Sequence, residues 1–183
     1  QWLRDGLGLI PDAAAIGPLA SSVPESGGVV FVPAFTGLGS PWWDPYARGT
    51  IVGLTRGSGR AQLARAVVEA MAFLTRDVVD AMTRGVGTPI TALRVDGGAS
   101  VMDLLLQLVA DQLGVVVDRP AVQETTALGA AYLAGLAAGV WSTTGDLWCR
   151  EREFAPNADR TAADAAYGEW LRAVARAGAW APA

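Results

Sequence analysis

The segment 92–113 constrains the fold most strongly, because it joins a short apolar run, a pair of glycines and a helical pattern. The run Ala92–Val95 predicts a buried strand, and the strand ends at Asp96, Gly97 and Gly98. The residues that follow repeat apolar side chains at helical spacing, at Met102, Leu105, Leu108 and Val109. The segment therefore predicts a strand, a tight glycine turn and a helix, in that order.

The Gly97-Gly98 turn is a candidate anion site. Glycine lets a backbone approach a ligand closely and adopt positive φ. The start of the following helix would add unpaired N–H groups and the positive end of the helix dipole. Ser100 and Asp103 have the spacing of a capping box at that helix start. On the two glycines alone, a turn without any ligand is an equally good interpretation.

The rest of the chain predicts two strands followed by alternating helices and strands. The pattern gives an antiparallel pair at Val29–Val32 and Gly49–Leu54, a long helix at Arg60–Arg84, a strand at Val115–Val117 that stops at Pro120, a helix at Ala127–Gly139, an edge strand at Leu147–Phe154 and a last helix at Ala162–Ala179. This order predicts an α/β fold with helices flanking a mixed sheet. Ligands of such sheets bind at the carboxyl ends of strands, which favours the anion site at Asp96–Gly98.

Side chains in two further regions have predicted roles. In the loop 33–48, Trp42 and Trp43 are expected to pack under the loop rather than to stack on a ligand. Asp44 and Arg48 are expected to brace the loop as an ion pair. The uncharged stretch Thr125–Gly145 is rich in Ala and Gly, so it predicts a buried helix lying close to a sheet rather than a membrane span. Thr125 and Thr126 are expected to cap that helix.

Composition excludes several classes of function. Of 183 residues, 51% are apolar, so a sizeable core is expected, and the net charge of -4 disfavours nucleic-acid or anionic-membrane partners. The chain has no histidine, which removes His-based nucleophile systems and the usual zinc sites. The single Cys149 fits a reducing, cytoplasmic location. The chain opens at Gln1 with no signal-peptide layout, which suggests a piece of a longer protein.

Several separated phrases occur in an order typical of one family. They are Gln1–Asp5, Phe31–Gly49, Gly49–Leu54 with Gln62–Leu63 and Ala66–Glu69, Arg94–Ala99, Thr126–Leu136 and Glu151–Phe154. By these phrases the chain resembles the FGGY family of carbohydrate kinases, and within it the members that phosphorylate glycerol. The resemblance covers nearly the whole chain, and the agreement of several motifs is far more specific than any one of them.

The resemblance implies two domains of the actin-like, ribonuclease-H-like fold with the active site between them. Residues 1–183 would be the C-terminal, nucleotide-binding domain, with a helical lead-in at 1–26, a core at 27–158 and a C-terminal helix at 159–183. The N-terminal domain would be absent. That domain would hold the general base, the glycerol-binding residues, the first phosphate loop and most of the Mg²⁺ site. The resemblance therefore places no catalytic residue and no metal ligand in this chain.

The resemblance also implies which residues meet ATP or ADP. Gly98 would lie against the nucleotide, with Gly97 and Ala99 beside it on the turn, and Gln1 would contribute from the start of the chain. Many members have an asparagine at the adenosine end, where this chain has Met102. A thioether accepts hydrogen bonds only weakly, so the contact there must be apolar or supplied elsewhere.

The expected activity of the full-length protein is transfer of the γ-phosphate of ATP to glycerol, giving glycerol 3-phosphate, whereas this piece alone would be inactive. Its expected partners are glycerol, ATP and the N-terminal domain of the same chain, with no nucleic acid and no membrane; a homo-oligomer is left open. Two alternatives stand: a kinase for another polyol or sugar such as a pentulose, and an actin-like nucleotide-binding module without turnover. Asp96 would either hydrogen-bond within its turn or face magnesium-bound waters.

Overall fold

The computed structural model describes residues 1–143 and 148–182. The helices in these residues are α1 (Trp2–Asp5), α2 (Ile16–Ser21), α3 (Arg60–Val86), α4 (Asp103–Leu113), α5 (Thr125–Ala137) and α6 (Thr161–Ala177). The strands are β1 (Val30–Val32), β2 (Thr50–Val52), β3 (Ala92–Arg94), β4 (Val116–Pro120) and β5 (Arg150–Phe154). A 3-10 turn spans Gly98–Val101, between β3 and α4.

The strands form two small sheets. β1 and β2 pair antiparallel, with Phe31 opposite Ile51, as the sequence predicted. In the second sheet β3 pairs parallel to β4, and β4 pairs antiparallel to β5. This confirms a mixed sheet with a parallel part in the second half of the chain. β4 ends at Pro120 as predicted, but it extends beyond the predicted Val115–Val117, and a register shift between Arg119 and Pro120 accommodates the proline in the ladder.

The 27-residue helix α3 separates two hydrophobic clusters. Side chains four residues apart lie on one face of a helix, and α3 uses two such faces. One face contributes Ala66, Ala70 and Phe73 to the hairpin core, which we define as the buried cluster around β1, α3 and α6. The other face contributes Ala64, Val68 and Ala72 to the sheet core, which we define as the buried cluster around α3, α4, β4 and β5. Small side chains on both faces let both layers approach α3 closely.

The helix α5 is solvent-exposed, so the prediction that this uncharged stretch is buried against a sheet is wrong. Gly135 is its only buried residue, and Leu133 is 68% exposed. Gly135 is covered by Trp141, whose indole N–H donates to the carbonyl of Tyr132 at 2.8 Å. Within the described residues no helix combines the length and apolarity that crossing a bilayer requires. The end of the predicted stretch, at 144–145, and Leu147, where the predicted edge strand began, lie outside the described residues.

The two tryptophans of the 33–48 loop differ in environment. Trp42 donates its indole N–H to Asp77 of α3 at 3.0 Å. Trp43 is 75% exposed and has a φ of 48°, so the prediction that it packs under the loop is wrong. Anchoring Trp42 while turning the next residue into left-handed backbone directs the second ring to solvent.

Asp44 and Arg48 brace the same loop separately, not as the predicted ion pair. The Asp44 carboxylate accepts backbone N–H groups from Tyr46 at 2.8 Å and Ala47 at 3.0 Å. Backbone hydrogen bonds, the strongest from Ala179, lower the pKa of Asp44. Arg48 instead donates to the carbonyls of Pro45 and Ala47. Backbone groups satisfy both side chains, which leaves neither free to pair with the other.

Candidate functional site

The turn after β3 has the backbone that its two glycines predict. Gly97 has φ 80° and ψ 176°, a conformation that residues with a Cβ rarely adopt. Its N–H donates to the carbonyl of Gln123 at 3.0 Å, and its carbonyl accepts the hydroxyl of Ser100 at 2.7 Å. Both backbone polar groups of Gly97 are therefore bonded, and the 3-10 turn starts from a fixed residue.

The outer side of the turn is open. A Cβ built on Gly97 or Gly98 would meet no atom within 4 Å. Gly98 and Ala99 are both solvent-exposed. Among the hydrogen bonds of the described residues, none engages the N–H groups of Gly98 and Ala99. Two adjacent free donors on an unobstructed backbone can bind an anionic oxygen.

The predicted capping box at Ser100 and Asp103 is wrong. The Ser100 hydroxyl turns back to Gly97, and a 3-10 turn is inserted before α4. The N-cap of α4 is Met102, which makes no side-chain cap hydrogen bond. The donors nearest to the open space thus belong to the turn itself, and the dipole of α4 acts from one turn further away.

Asp103 belongs instead to an ion-pair network that the sequence did not reveal. Its carboxylate lies 2.7 Å from Arg119 of β4 and also pairs with Arg152 of β5. Arg119 in turn pairs with Glu151. The hydrogen bond from Arg119 is the main cause that lowers the pKa of Asp103 and likewise that of Glu151. A charged residue inside the β-branched run before Pro120 was the available signal for this network.

The network predicts a loss of stability in acid. Because folding lowers the pKa of Asp103 and Glu151, both carboxylates stabilise the fold above their unfolded pKa of about 4, and this contribution is lost as the pH falls through their folded pKa. We expect the melting temperature to fall between about pH 5 and pH 3. Replacing Arg119 with Met should flatten this dependence. Melting curves recorded from pH 6 to pH 3 would contradict this expectation if both proteins changed in parallel.

Asp96 ties the turn to α5. Its carboxylate accepts the hydroxyl of Thr125, so the bond crosses to another element instead of closing its own turn. The prediction that Thr125 and Thr126 cap α5 is therefore wrong: the N-cap is Glu124, without a side-chain cap bond. The described residues contain no group of three or more acidic or Cys side chains arranged to hold a metal ion.

The structure brings four of the five predicted site residues together. Gly97, Gly98 and Ala99 form the turn, and Met102 follows directly after it. A Cβ on Gly17 of α2 would lie 3.4 Å from the Met102 side chain, so the thioether packs toward α2. Gln1 is exposed at the N-cap of α1, and no hydrogen bond within the described residues joins it to the turn.

A separate cavity of about 420 Å³ lies between β1, α3, α4 and α6. Its lining includes Ser26, Phe73, Leu108 and Gln112. None of the predicted site residues lines it. The open turn and this cavity are therefore distinct features.

Three comparisons relate the chain to known proteins. Residues 1–138 match the model of the FGGY family of carbohydrate kinases, C-terminal domain. A glycerol kinase of Aromatoleum aromaticum is 58% identical over 186 residues, which is 100% of this chain and 38% of that protein. A glycerol kinase of Nitratidesulfovibrio vulgaris is 54% identical over 184 residues, 99% of this chain and 37% of that protein. The chain thus spans little more than a third of these relatives.

Solved structures agree with the sequence comparisons. The crystal structure of Plasmodium falciparum glycerol kinase with ADP matches with a TM-score of 0.87 and 32% identity, over 96% of this chain and 36% of that one. Xylulose kinase from Lactobacillus acidophilus matches with a TM-score of 0.73 and 27% identity, over 95% and 37%. The predicted fold class is confirmed: an α/β domain of the actin-like, ribonuclease-H-like type, with helices around a mixed sheet.

Proposed function

The chain belongs to the FGGY family of carbohydrate kinases, and we propose that it is the C-terminal, nucleotide-binding part of a glycerol kinase. The observation that carries the proposal is the open turn. Among residues 1–143 and 148–182, no hydrogen bond engages the N–H groups of Gly98 and Ala99, and no atom lies within 4 Å of a Cβ built on Gly98. Gly98 lies against the phosphates of ATP or ADP, with Gly97 and Ala99 shaping the approach. Met102 and Gln1 contribute at the edges of the nucleotide.

In the longer protein, the proposed reaction is transfer of the γ-phosphate of ATP to glycerol. Such a transfer depends on positioning the reactants and on stabilising charge from both sides of the transferred group. This chain supplies one side, a neutral backbone cradle without a metal-ligand cluster in its described residues. Mg²⁺, the general base and the glycerol site belong to the other domain. We expect the 183-residue chain alone to bind ADP and to have no glycerol-dependent turnover.

Glycerol is favoured over other substrates of the family by sequence likeness. The glycerol kinase of Aromatoleum aromaticum is 58% identical to this chain, whereas the xylulose kinase of Lactobacillus acidophilus is 27% identical. A kinase for a pentulose remains the second candidate, because FGGY kinases for different sugars share this domain.

A pair of chimeras tests the proposal. In the first, this chain replaces the matching segment of the Aromatoleum aromaticum glycerol kinase; in the second, it replaces that of the Lactobacillus acidophilus xylulose kinase. We expect the first to phosphorylate glycerol within roughly tenfold of the parent rate, and the second to be inactive because its domains do not fit. The readout is ADP release that depends on the added substrate. An inactive first chimera alongside an active second one would favour the pentulose kinase.

ADP binding by the isolated chain tests whether the nucleotide site is retained without the other domain. At an ADP concentration of about 100 times Kd, a ligand that binds only the folded state adds about 2.7 kcal/mol of stability. In a chain of this length that raises the melting temperature by several degrees. No shift with ADP, together with an inactive first chimera, would refute the nucleotide-binding proposal.

A further inference from the structure

The guanidinium of Arg119 lies directly beneath the proposed nucleotide turn. Arg119 is on β4 and only 7% exposed. One of its terminal nitrogens, Nη1, donates to the carbonyl of Ser100 at 3.2 Å and to that of Val101 at 3.4 Å. The same nitrogen donates to the Asp103 carboxylate at 2.7 Å. A single buried group thus holds the end of the turn and the start of α4.

The guanidinium is itself held from the opposite side. Its Nε and Nη2 donate to the two carboxylate oxygens of Glu151 on β5, the second at 3.3 Å. The guanidinium also lies 5.3 Å from the ring centre of Phe154. A planar fork with both edges bonded has little freedom to rotate. Arg119 therefore transmits the position of the β4–β5 sheet to the turn.

The other end of the turn is fixed independently. Gly97 is bonded through both its N–H and its carbonyl, to Gln123 and Ser100. Between the two fixed ends lie Gly98 and Ala99, whose N–H groups are free among the described hydrogen bonds. The carbonyl of Gly97 and the N–H of Gly98 belong to one planar trans peptide, so the carbonyl that accepts the Ser100 hydroxyl directs the Gly98 N–H the opposite way. With both ends held, the turn that carries these donors has a fixed conformation before any ligand arrives.

We propose that Arg119 is a positioning residue for nucleotide binding: by bonding the carbonyls of Ser100 and Val101 it fixes the end of the turn that follows Gly98 and Ala99, so that the turn keeps one conformation. This inference rests on the proposed function. Arg119 does not touch the nucleotide, and its contribution is to remove the ordering cost that a loose turn would impose on binding.

Two single substitutions, each made in the 183-residue chain, test this role. Arg119→Met keeps an apolar stem near Phe154 and removes every donor to the turn. Arg152→Met is the matched control, because Arg152 also pairs with Asp103 and lies 4.8 Å from the Phe154 ring centre, yet it bonds no carbonyl of the turn. By calorimetry below both melting temperatures, we expect Arg119→Met to raise the Kd for ADP about tenfold and Arg152→Met to change it less than about twofold.

Milder variants keep the test decisive if Arg119→Met folds poorly. Arg119→Lys keeps the charge and loses the fork, and Glu151→Gln weakens the far anchor of the guanidinium. Both should raise the Kd for ADP by about threefold while the chain stays folded. In the active chimera, each of these changes should raise the KM for ATP and leave the KM for glycerol unchanged.

The outcomes are separable. If the Arg119 variants melt earlier but bind ADP like the unaltered chain at a temperature where all are folded, Arg119 is only a stabilising residue and the positioning role is wrong. If Arg152→Met weakens binding as much as Arg119→Met, the ion pairs with Asp103 are responsible and the contacts with the turn are not. If the unaltered chain does not bind ADP, the nucleotide proposal fails first, and the inference fails with it.

Discussion

Replacing Gly98 with Val is expected to abolish most ADP binding while leaving the stability of the chain almost unchanged. Gly98 does not have positive φ, and a Cβ at this position would meet no atom within 4 Å. The fold therefore has no reason to resist the larger side chain. A nucleotide lying against this backbone would lose its close approach, and we expect the Kd for ADP to rise at least tenfold, about 1.4 kcal/mol.

The neighbouring glycine gives the opposite result and serves as the first comparison. Gly97 has φ 80° and ψ 176°, so Gly97→Ala strains the backbone although space is available. Such a conformation costs a residue with a side chain about 1–3 kcal/mol. We expect a lower melting temperature for Gly97→Ala, with weaker binding as a secondary effect.

A valine at another open glycine controls for the side chain itself. Gly168 of α6 also has nothing within 4 Å of a built Cβ, and it lies in a helix remote in sequence from the turn. Gly168→Val should change neither ADP affinity nor stability appreciably. Calorimetry with ADP and a melting curve on each variant are sufficient. Unimpaired ADP binding by Gly98→Val would contradict the placement of the nucleotide at this turn.

The features predicted well from sequence are those that depend on residues close together in the chain. The stripe of apolar residues in 60–84 predicted α3, and the β-branched runs at 29–32 and 49–54 predicted the antiparallel pair. In each case burial of one face, or of a short run, leaves a periodic trace that neighbouring residues carry together. The glycine turn follows from a local pattern too, because Gly97 and Gly98 come soon after the apolar run that forms β3 and before the helical repeat that forms α4.

The features that were missed depend on residues distant in sequence. Arg119 pairs with Asp103 and Glu151, which are 16 and 32 positions away. The position of Glu151 follows from the pairing of β4 with β5, and that of Asp103 from the contact of α4 with β4. No local sequence pattern contains either arrangement. Similarly, Ser100 has the spacing of a capping residue. Its hydroxyl donates to the Gly97 carbonyl instead, because the 3-10 turn brings that carbonyl within reach. The exposure of α5 was missed because an apolar sequence predicts a buried helix without showing which element would pack against it.

Replacing Asp77 with Ala is expected to cause a large loss of stability. Asp77 of α3 is 1% exposed and accepts three hydrogen bonds from neutral donors. They come from the indole N–H of Trp42 at 3.0 Å, the hydroxyl of Tyr167 at 2.6 Å and the indole N–H of Trp170 at 2.9 Å. One carboxylate therefore joins α3, α6 and the 33–48 loop.

The substitution would leave three donors without their acceptor, two of them on the partly or fully buried side chains of α6. A buried donor without a partner costs about 1–3 kcal/mol, and these donors share one acceptor, so we expect Asp77→Ala to lower the free energy of unfolding by about 3–4 kcal/mol. Asp77→Asn keeps one oxygen and should lose about 1–2 kcal/mol. Tyr167→Phe removes a single donor and should cost about 1 kcal/mol.

Asp80 supplies the matched control on the same helix. Its side chain is 40% exposed and lies 3.6 Å from Arg76, so Asp80→Ala should cost less than about 1 kcal/mol. Urea unfolding of the four variants measures these differences. Because Trp170 is fully buried, its release from Asp77 should also expose α6 to limited proteolysis ahead of α4. Equal losses for Asp77→Ala and Asp80→Ala would mean that the packing of Trp170, and not the shared carboxylate, holds α6 to α3.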